Sequence, residues 1–297
     1  MRSTTSKTMF TNGESTDTSK KSPSGDNKNS IVPPKAVLFS PALTHAAKLE
    51  QQQQQQQQVD TTPTKQDEDD DEEDVFNPYQ FIATLSQYIS EERKVWLPPL
   101  SPSAKIQTLT LDLDETLVHC SIEPVAKYDW SFPVSFNGTD YQVYVKKRPY
   151  LDYFLEIVAK SFEVIVFTAS QKVYADVLLD LLDPEKKYIR HRLFREACVP
   201  VQGNYIKDLQ VLGRDLNKTV LVDNSPHAYG FQIDNGIPIE SWFDDDNDTE
   251  LLKLVGFLRQ LVNVDDVRPI VHEHFKTYQL VANAKRGLPV SLSAPPF

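Results

Sequence analysis

Cysteine occurs only twice, at Cys120 and Cys198, in neither a CxxC pair nor a zinc-ligand spacing. That excludes a disulfide framework and fits a reducing compartment. No apolar run approaches the roughly 18 residues of a membrane helix, and the polar N-terminus lacks a signal-peptide pattern. The chain therefore reads as soluble and intracellular, with no membrane partner. Basic residues are also in deficit: 31 Lys and Arg stand against 42 Asp and Glu. Residues 1–74 carry 8 basic and 13 acidic side chains, and the remainder 23 and 29, so both parts are negative. A large nucleic-acid-binding face is excluded; a local cationic pocket for one phosphate is not.

Aromatic residues are nearly missing from residues 1–74, which hold the glutamine run Gln51 to Gln58 and the acidic block Asp67 to Asp74. Such a segment buries too little apolar surface to offset the entropy of ordering it, so a disordered tail is expected there. Residues 75–104 form an aromatic lead-in and a linker at Pro98-Pro99. It reads either as a segment packed on the domain or as a partner-binding element. A single folded domain is expected over 105–282, with a flexible tail over 283–297.

Three short apolar runs end in polar residues: Thr108 to Leu113 before Asp114, Val164 to Phe167 before Thr168, and Thr219 to Val222 before Asp223. Rich in β-branched and aromatic residues and not alternating, they predict strands buried on both faces. Helical patterns separate them. Tyr150 to Lys160 is one, and Gln171 to Leu182 is another, with Tyr174, Val177, Leu178 and Leu181 on one face. Alternating strands and helices predict an α/β fold with a parallel sheet, whose ligands bind beyond the carboxyl ends of the strands. Trp130, Phe132, Val134 and Phe136, then Asn137-Gly138, then Tyr141, Val143 and Val145 predict an inserted hairpin near that rim. Later, Asn247 with Glu250 suggests a capping box for a helix striped by Leu251, Leu254, Val255, Leu258, Leu261 and Val262. The run Asp244 to Asp248 lacks the glycine and final glutamate of a calcium loop. His272-Glu273-His274 lacks a third ligand and reads as a helix face.

The stretch DLDET, residues 112–116, carries the chemistry. Asp112 and Asp114, two apart, share one side of a regular strand. Carboxylates that close favour a shared proton or a divalent cation between them. With Mg2+, one aspartate can attack phosphorus to give an aspartyl-phosphate while the other protonates the leaving alkoxide. Thr168 could bind a phosphoryl oxygen, Lys207 could neutralise charge, and Asp223-Asn224 could complete a magnesium shell. Each has an ordinary alternative: Thr168 a helix cap, Lys207 a surface lysine, and Asp223 to Pro226 an Asx turn.

The ordered stretches LDLDETLVHC, VYVKKRPYLDYFL, VIVFTASQKVYAD, RHRLFREACV, GNYIKDLQVLGRDL, VLVDNSP and PIESWFDDDNDTELL resemble the haloacid-dehalogenase superfamily phosphatases of the CTD small-phosphatase branch. The resemblance runs from about Thr108 to Val267. It implies a Rossmann-like core with the hairpin as an insertion, and phosphoserine/phosphothreonine protein phosphatase activity with Mg2+ as cofactor. It makes Asp112 the nucleophile and Asp114 the acid and then base, with Thr168 and Lys207 on the phosphoryl group. Asp112, the Asp114 carbonyl and Asn224 would bind Mg2+, Asp223 would orient its waters, and Arg195 would line the peptide groove. Val134, Phe136 and Val143 keep the apolar substrate pocket. Ile122 and Gln171 stand where the family has phenylalanine and leucine, which implies a smaller, more polar pocket. The implied partner is a phosphoprotein, with the RNA polymerase II C-terminal domain as one candidate, acted on by a monomer in the nucleus or in nucleus and cytoplasm. Two rival readings stay open: a small-metabolite phosphatase and a phosphopeptide-binding scaffold without turnover.

Overall fold

Leu109, Leu111, Val164, Ile165, Val166, Leu221 and Val222 are fully shielded from solvent, the burial expected of strands covered on both faces. The structure, a computed structural model, describes residues 38–39, 76–88 and 92–291. The glutamine run and acidic block lie outside the described residues.

The central sheet has the order β10-β9-β1-β5-β6 and is parallel throughout. Its strands are β1 (Thr108–Leu111), β5 (Glu163–Phe167), β6 (Ile189–Leu193), β9 (Thr219–Asp223) and β10 (Gly236–Pro238). Chain order reverses at β1, which pairs with β5 on one side and β9 on the other. Leu111 is level with both Val166 and Val222. The residues just past those three strands are thereby brought together at a topological switch point, where ligands bind in such sheets.

The hairpin is present as β3 (Trp130–Phe136) and β4 (Thr139–Lys147). Asn137 and Gly138 take φ of 50° and 77°, the left-handed pair a tight two-residue hairpin requires. Phe132 and Val134 point inward between exposed Ser131, Pro133 and Ser135. A third strand, β2 (Val118–Ser121), pairs with β4. Its four residues are too short to announce themselves by alternation.

Helices α2 (Leu151–Val158), α3 (Lys172–Leu182) and α4 (Glu250–Leu258) flank the sheets, and α5 (Arg268–Phe275) and α6 (Thr277–Lys285) follow. The expected face of α3 is corrected: Tyr174 and Leu178 are buried, but Val177 and Leu181 are exposed, and Ala175, Leu179 and Leu182 take their places. The buried stripe faces the hairpin, where Tyr174 stacks on Phe132 at 6.3 Å. Asn247 does not cap α4. Asp248 accepts from the Glu250 N–H at 3.1 Å instead, and Arg148 donates to the same carboxylate from Nε and Nη2. Leu261 lies in a 3-10 turn after α4, with Val262 beyond it. His272 lies on α5, as a helix-face reading requires, and contacts Asp234 at 2.8 Å.

The lead-in packs on the domain. A first helix, α1 (Pro78–Thr84), is capped by Asn77 Oδ1, which accepts from the N–H of Tyr79 and Gln80. It buries Tyr79, Phe81 and Ile82 with Leu85, Val201, Ile206 and Ala284. Because Ala284 belongs to this cluster, the folded unit extends past residue 282 into the segment expected as a flexible tail. The other departure lies upstream: Leu38 and Phe39, from the segment expected to bury too little apolar surface to order itself, are 1% and 0% exposed in the main core. Two large apolar side chains suffice for this locally, whatever the composition around them.

Candidate active site

The Asp112 N–H donates to the Val222 carbonyl at 2.9 Å, so this residue prolongs the β1 ladder beside β9. The chain then turns sharply. Glu115 takes φ 57°, and the N–H groups of Leu117 and Val118 both return to the Leu113 carbonyl. A non-glycine residue in this region persists only when its surroundings over-determine it. Here the Glu115 carbonyl accepts from the Trp242 N–H at 2.8 Å, and the Thr116 carbonyl from Arg148 Nη1 at 3.0 Å.

Asp112 and Asp114 are 3% and 1% exposed, but they have different partners. Lys207, 2% exposed, donates to Asp112 Oδ1 at 2.5 Å and to Asp223 Oδ2 at 2.6 Å. Burial alone would lower the Lys207 pKa. The two carboxylates outweigh that and raise it, so the ammonium stays charged. Asp223 is pushed up by its burial and by Asp112, against the pull of Lys207. Its other oxygen accepts from the Ser225 N–H at 2.8 Å.

Asp114 faces hydroxyl donors. Its Oδ2 accepts from Ser170 Oγ at 2.6 Å and lies 3.5 Å from Thr168 Oγ1, and its Oδ1 accepts from Tyr174 at 2.6 Å. Burial, then the nearby Asp112 charge, raise its pKa to about 6, against the hydrogen bonds from Ser170 and Tyr174 and the charge of Lys207. The two aspartates thus divide into an ion-paired carboxylate and a carboxyl poised to hold a proton, the separation acid–base chemistry uses.

The third part of the site is the Thr116 hydroxyl, 3.1 Å from Asp112 Oδ2 and 3.5 Å from Asn224 Oδ1. Asn224 is oriented by its own amide, which donates to Ser241 Oγ at 2.9 Å. One hydroxyl proton cannot serve both oxygens fully. A carboxylate and an amide oxygen converging on one point are hard donors of the type Mg2+ takes, with water supplying the rest of its shell. Among the described residues no group of three His, Cys, Asp or Glu is arranged to hold a metal.

Asp112, Asp114, Thr168, Lys207, Asp223 and Asn224 therefore meet at one rim. Of the expected substrate residues, Val134 and Val143 lie in the main core, with Ile122 and Phe136 packed against it. Arg195 donates to the Ala169 and Phe39 carbonyls, both at 2.6 Å, and the Gln171 N–H donates to the Leu38 carbonyl at 3.1 Å. Thr116, Ser170, Tyr174 and Ser241 were missed as site residues. Thr116 stood in plain view as the last residue of DLDET. Tyr174 was hidden by its helix periodicity, which marks it as core. Cys120 and Cys198 are both buried, and burial raises the pKa of each thiol, that of Cys198 to about 12.

A parallel α/β sheet with a paired-aspartate site at its switch point defines the class. Within it, residues 107–268 match the NLI interacting factor-like phosphatase family, to which this chain belongs. It is 56% identical over 209 residues to CTD small phosphatase-like protein 2 of Dictyostelium discoideum, covering 70% of this chain and 37% of that protein. With CTD small phosphatase-like protein 3 of Caenorhabditis elegans the identity is 52% over 209 residues, covering 67% of this chain and 73% of that one. The human carboxy-terminal domain RNA polymerase II polypeptide A small phosphatase 1 is 49% identical over 179 residues, covering 59% and 68%. No described helix is long and apolar enough to cross a membrane.

Proposed function

We propose that the protein is a Mg2+-dependent phosphoserine/phosphothreonine protein phosphatase acting through an aspartyl-phosphate. The observation that carries this reading is the unequal environment of the two aspartates: Asp112 ion-paired to Lys207, Asp114 raised to about 6. Asp112 attacks phosphorus, the bond to the seryl or threonyl oxygen breaks, and that oxygen takes the proton of Asp114. The Asp114 carboxylate then accepts a proton from water as the water oxygen attacks phosphorus. Phosphate leaves, and both carboxyl groups return to their starting states.

Lys207 offsets the charge of Asp112 and of the phosphoryl oxygens, and the Thr168 hydroxyl holds one of those oxygens. Asp112 Oδ2, Asn224 Oδ1 and the Asp114 carbonyl would hold the Mg2+. When bound, it supplies charge that stabilises the phosphoryl oxygens. Asp223 keeps Lys207 in place and would orient waters of the bound ion.

The related human enzyme's name points to the RNA polymerase II C-terminal domain, and we place the substrate among nuclear phosphoproteins of which it is one, with the protein acting as a monomer. The test is phosphate release from a phosphoserine peptide of that domain, from an unrelated phosphoserine peptide and from sugar phosphates, with and without EDTA. Release that requires Mg2+ and disappears in Asp112→Asn supports the reading. Faster release from sugar phosphates than from any peptide overturns the protein-substrate part, and tight peptide binding without release overturns the enzyme.

A further inference from the structure

Phe39 has no solvent exposure, and its ring meets that of Tyr174 edge-on, with centroids 4.7 Å apart. Tyr174 in turn donates to Asp114. Phe39, 75 positions upstream of Asp114, is therefore one side chain away from it. Leu38 and Phe39 share one apolar cluster with Phe132, Val134, Val143 and Tyr174.

The backbone of this dipeptide is held as well as its side chains. The Leu38 carbonyl accepts from the Gln171 N–H at 3.1 Å, and the Phe39 carbonyl from Arg195 Nη2 at 2.6 Å. Main-chain carbonyls gripped by fixed donors, with pockets for the adjacent side chains, are the elements of peptide recognition. The donors, Gln171 and Arg195, are residues that the family resemblance implies for the substrate groove. The dipeptide covers the face on which these two donors lie.

We propose that Leu38–Phe39 is an intramolecular ligand of the apolar face beside Asp114, docked there in cis in competition with a peptide substrate. The competition rests on the phosphatase reading; the docking does not. Occupancy in cis lowers the fraction of molecules able to accept a peptide, and apparent affinity falls by that fraction. A small aryl phosphate needs no groove and escapes the effect.

The test uses the full chain and its Leu38→Ala/Phe39→Ala variant, with Leu38→Ala alone as the milder change should the double variant fold poorly. A fluorescein-labelled peptide of residues 33–45 should bind the variant saturably and the parent at least about tenfold more weakly, as expected if the closed form dominates by about that ratio. The same peptide with alanine at positions 38 and 39 should not bind. For a phosphopeptide, the variant should show a KM lowered by a similar factor with kcat unchanged, and p-nitrophenyl phosphate hydrolysis should stay at the parental rate. Equal peptide binding by parent and variant, or none by either, overturns the docking. Binding to the variant with KM unchanged overturns the competition. Failure of every protein to hydrolyse either substrate overturns the phosphatase reading and leaves the binding result to decide the docking.

Discussion

The phenolic oxygen of Tyr174 lies 2.6 Å from Asp114 Oδ1 and 2.9 Å from Cys120 Sγ. A helix residue that packs like core thus also sets the environment of the Asp114 carboxyl. Burial and the adjacent Asp114 charge raise the phenol's own pKa, so it remains a donor to the carboxyl.

Asp114→Asn should separate substrates by their leaving groups. Phosphoserine needs a proton on departure and p-nitrophenyl phosphate scarcely does, so the variant should lose about 10²–10⁴-fold in kcat on a phosphopeptide and much less on the aryl ester. Equal losses on both would remove Asp114 from the acid role. Tyr174→Phe deletes one donor and should show a weaker split of the same sign.

Arg148 is 1% exposed and holds both Asp248 oxygens, at 2.9 and 2.8 Å, together with the Thr116 carbonyl. Removing one partner of such a pair strands the other charge, at a cost of about 3–5 kcal/mol. Urea unfolding of Arg148→Met should show a loss of that order, and Arg148→Met/Asp248→Asn a smaller one. Because Arg148 also fixes the turn after Asp112, the single variant should lose activity as well.

A Cβ at Gly236 would lie 2.2 Å from the ring of Tyr229, which has no solvent exposure. Both β10 and that ring are buried, so one of them must shift to admit the methyl group. Gly236→Ala should therefore cost about 1–3 kcal/mol, visible as a lower thermal midpoint. An unchanged midpoint would contradict this packing.

Glu163 opens β5 and is paired with Arg214 at 2.7 and 2.9 Å. Burial raises its pKa, but the Arg214 bonds and charge, with His191 and Thr108, bring it below its ordinary 4.5. A lowered carboxyl pKa contributes stability that is fully present above the unfolded value and is lost as pH falls through the folded one. The stability advantage of the parent over Glu163→Gln should hold at pH 7 and shrink below about pH 4.5. A constant difference between pH 7 and pH 3 in urea midpoints would refute the linkage.

The resemblance and the ordered strand ends named Asp112, Asp114, Thr168, Lys207, Asp223 and Asn224, which the parallel register brings to one rim. Their legibility has a physical source: fully buried strands need unbroken apolar runs, and a polar residue ending such a run is conspicuous. Thr116, Ser170 and Ser241 went unread because a serine or threonine in a loop has many ordinary uses. The α3 face was misjudged by treating Val177 and Leu181 as core, since several apolar stripes fit one helix and only its neighbours select among them.

By itself the sequence determined the α/β class and the hairpin turn at Asn137-Gly138, and it singled out the polar residues that end the buried strands, because these depend on local pattern and on residue chemistry. Tertiary structure alone decided which oxygen faces which donor: Lys207 between Asp112 and Asp223, Tyr174 on Asp114, Arg148 on Asp248. It alone carried Leu38 and Phe39 into the main core, since contacts across more than 130 positions leave no trace in local composition and are set by the shape of the surface they meet.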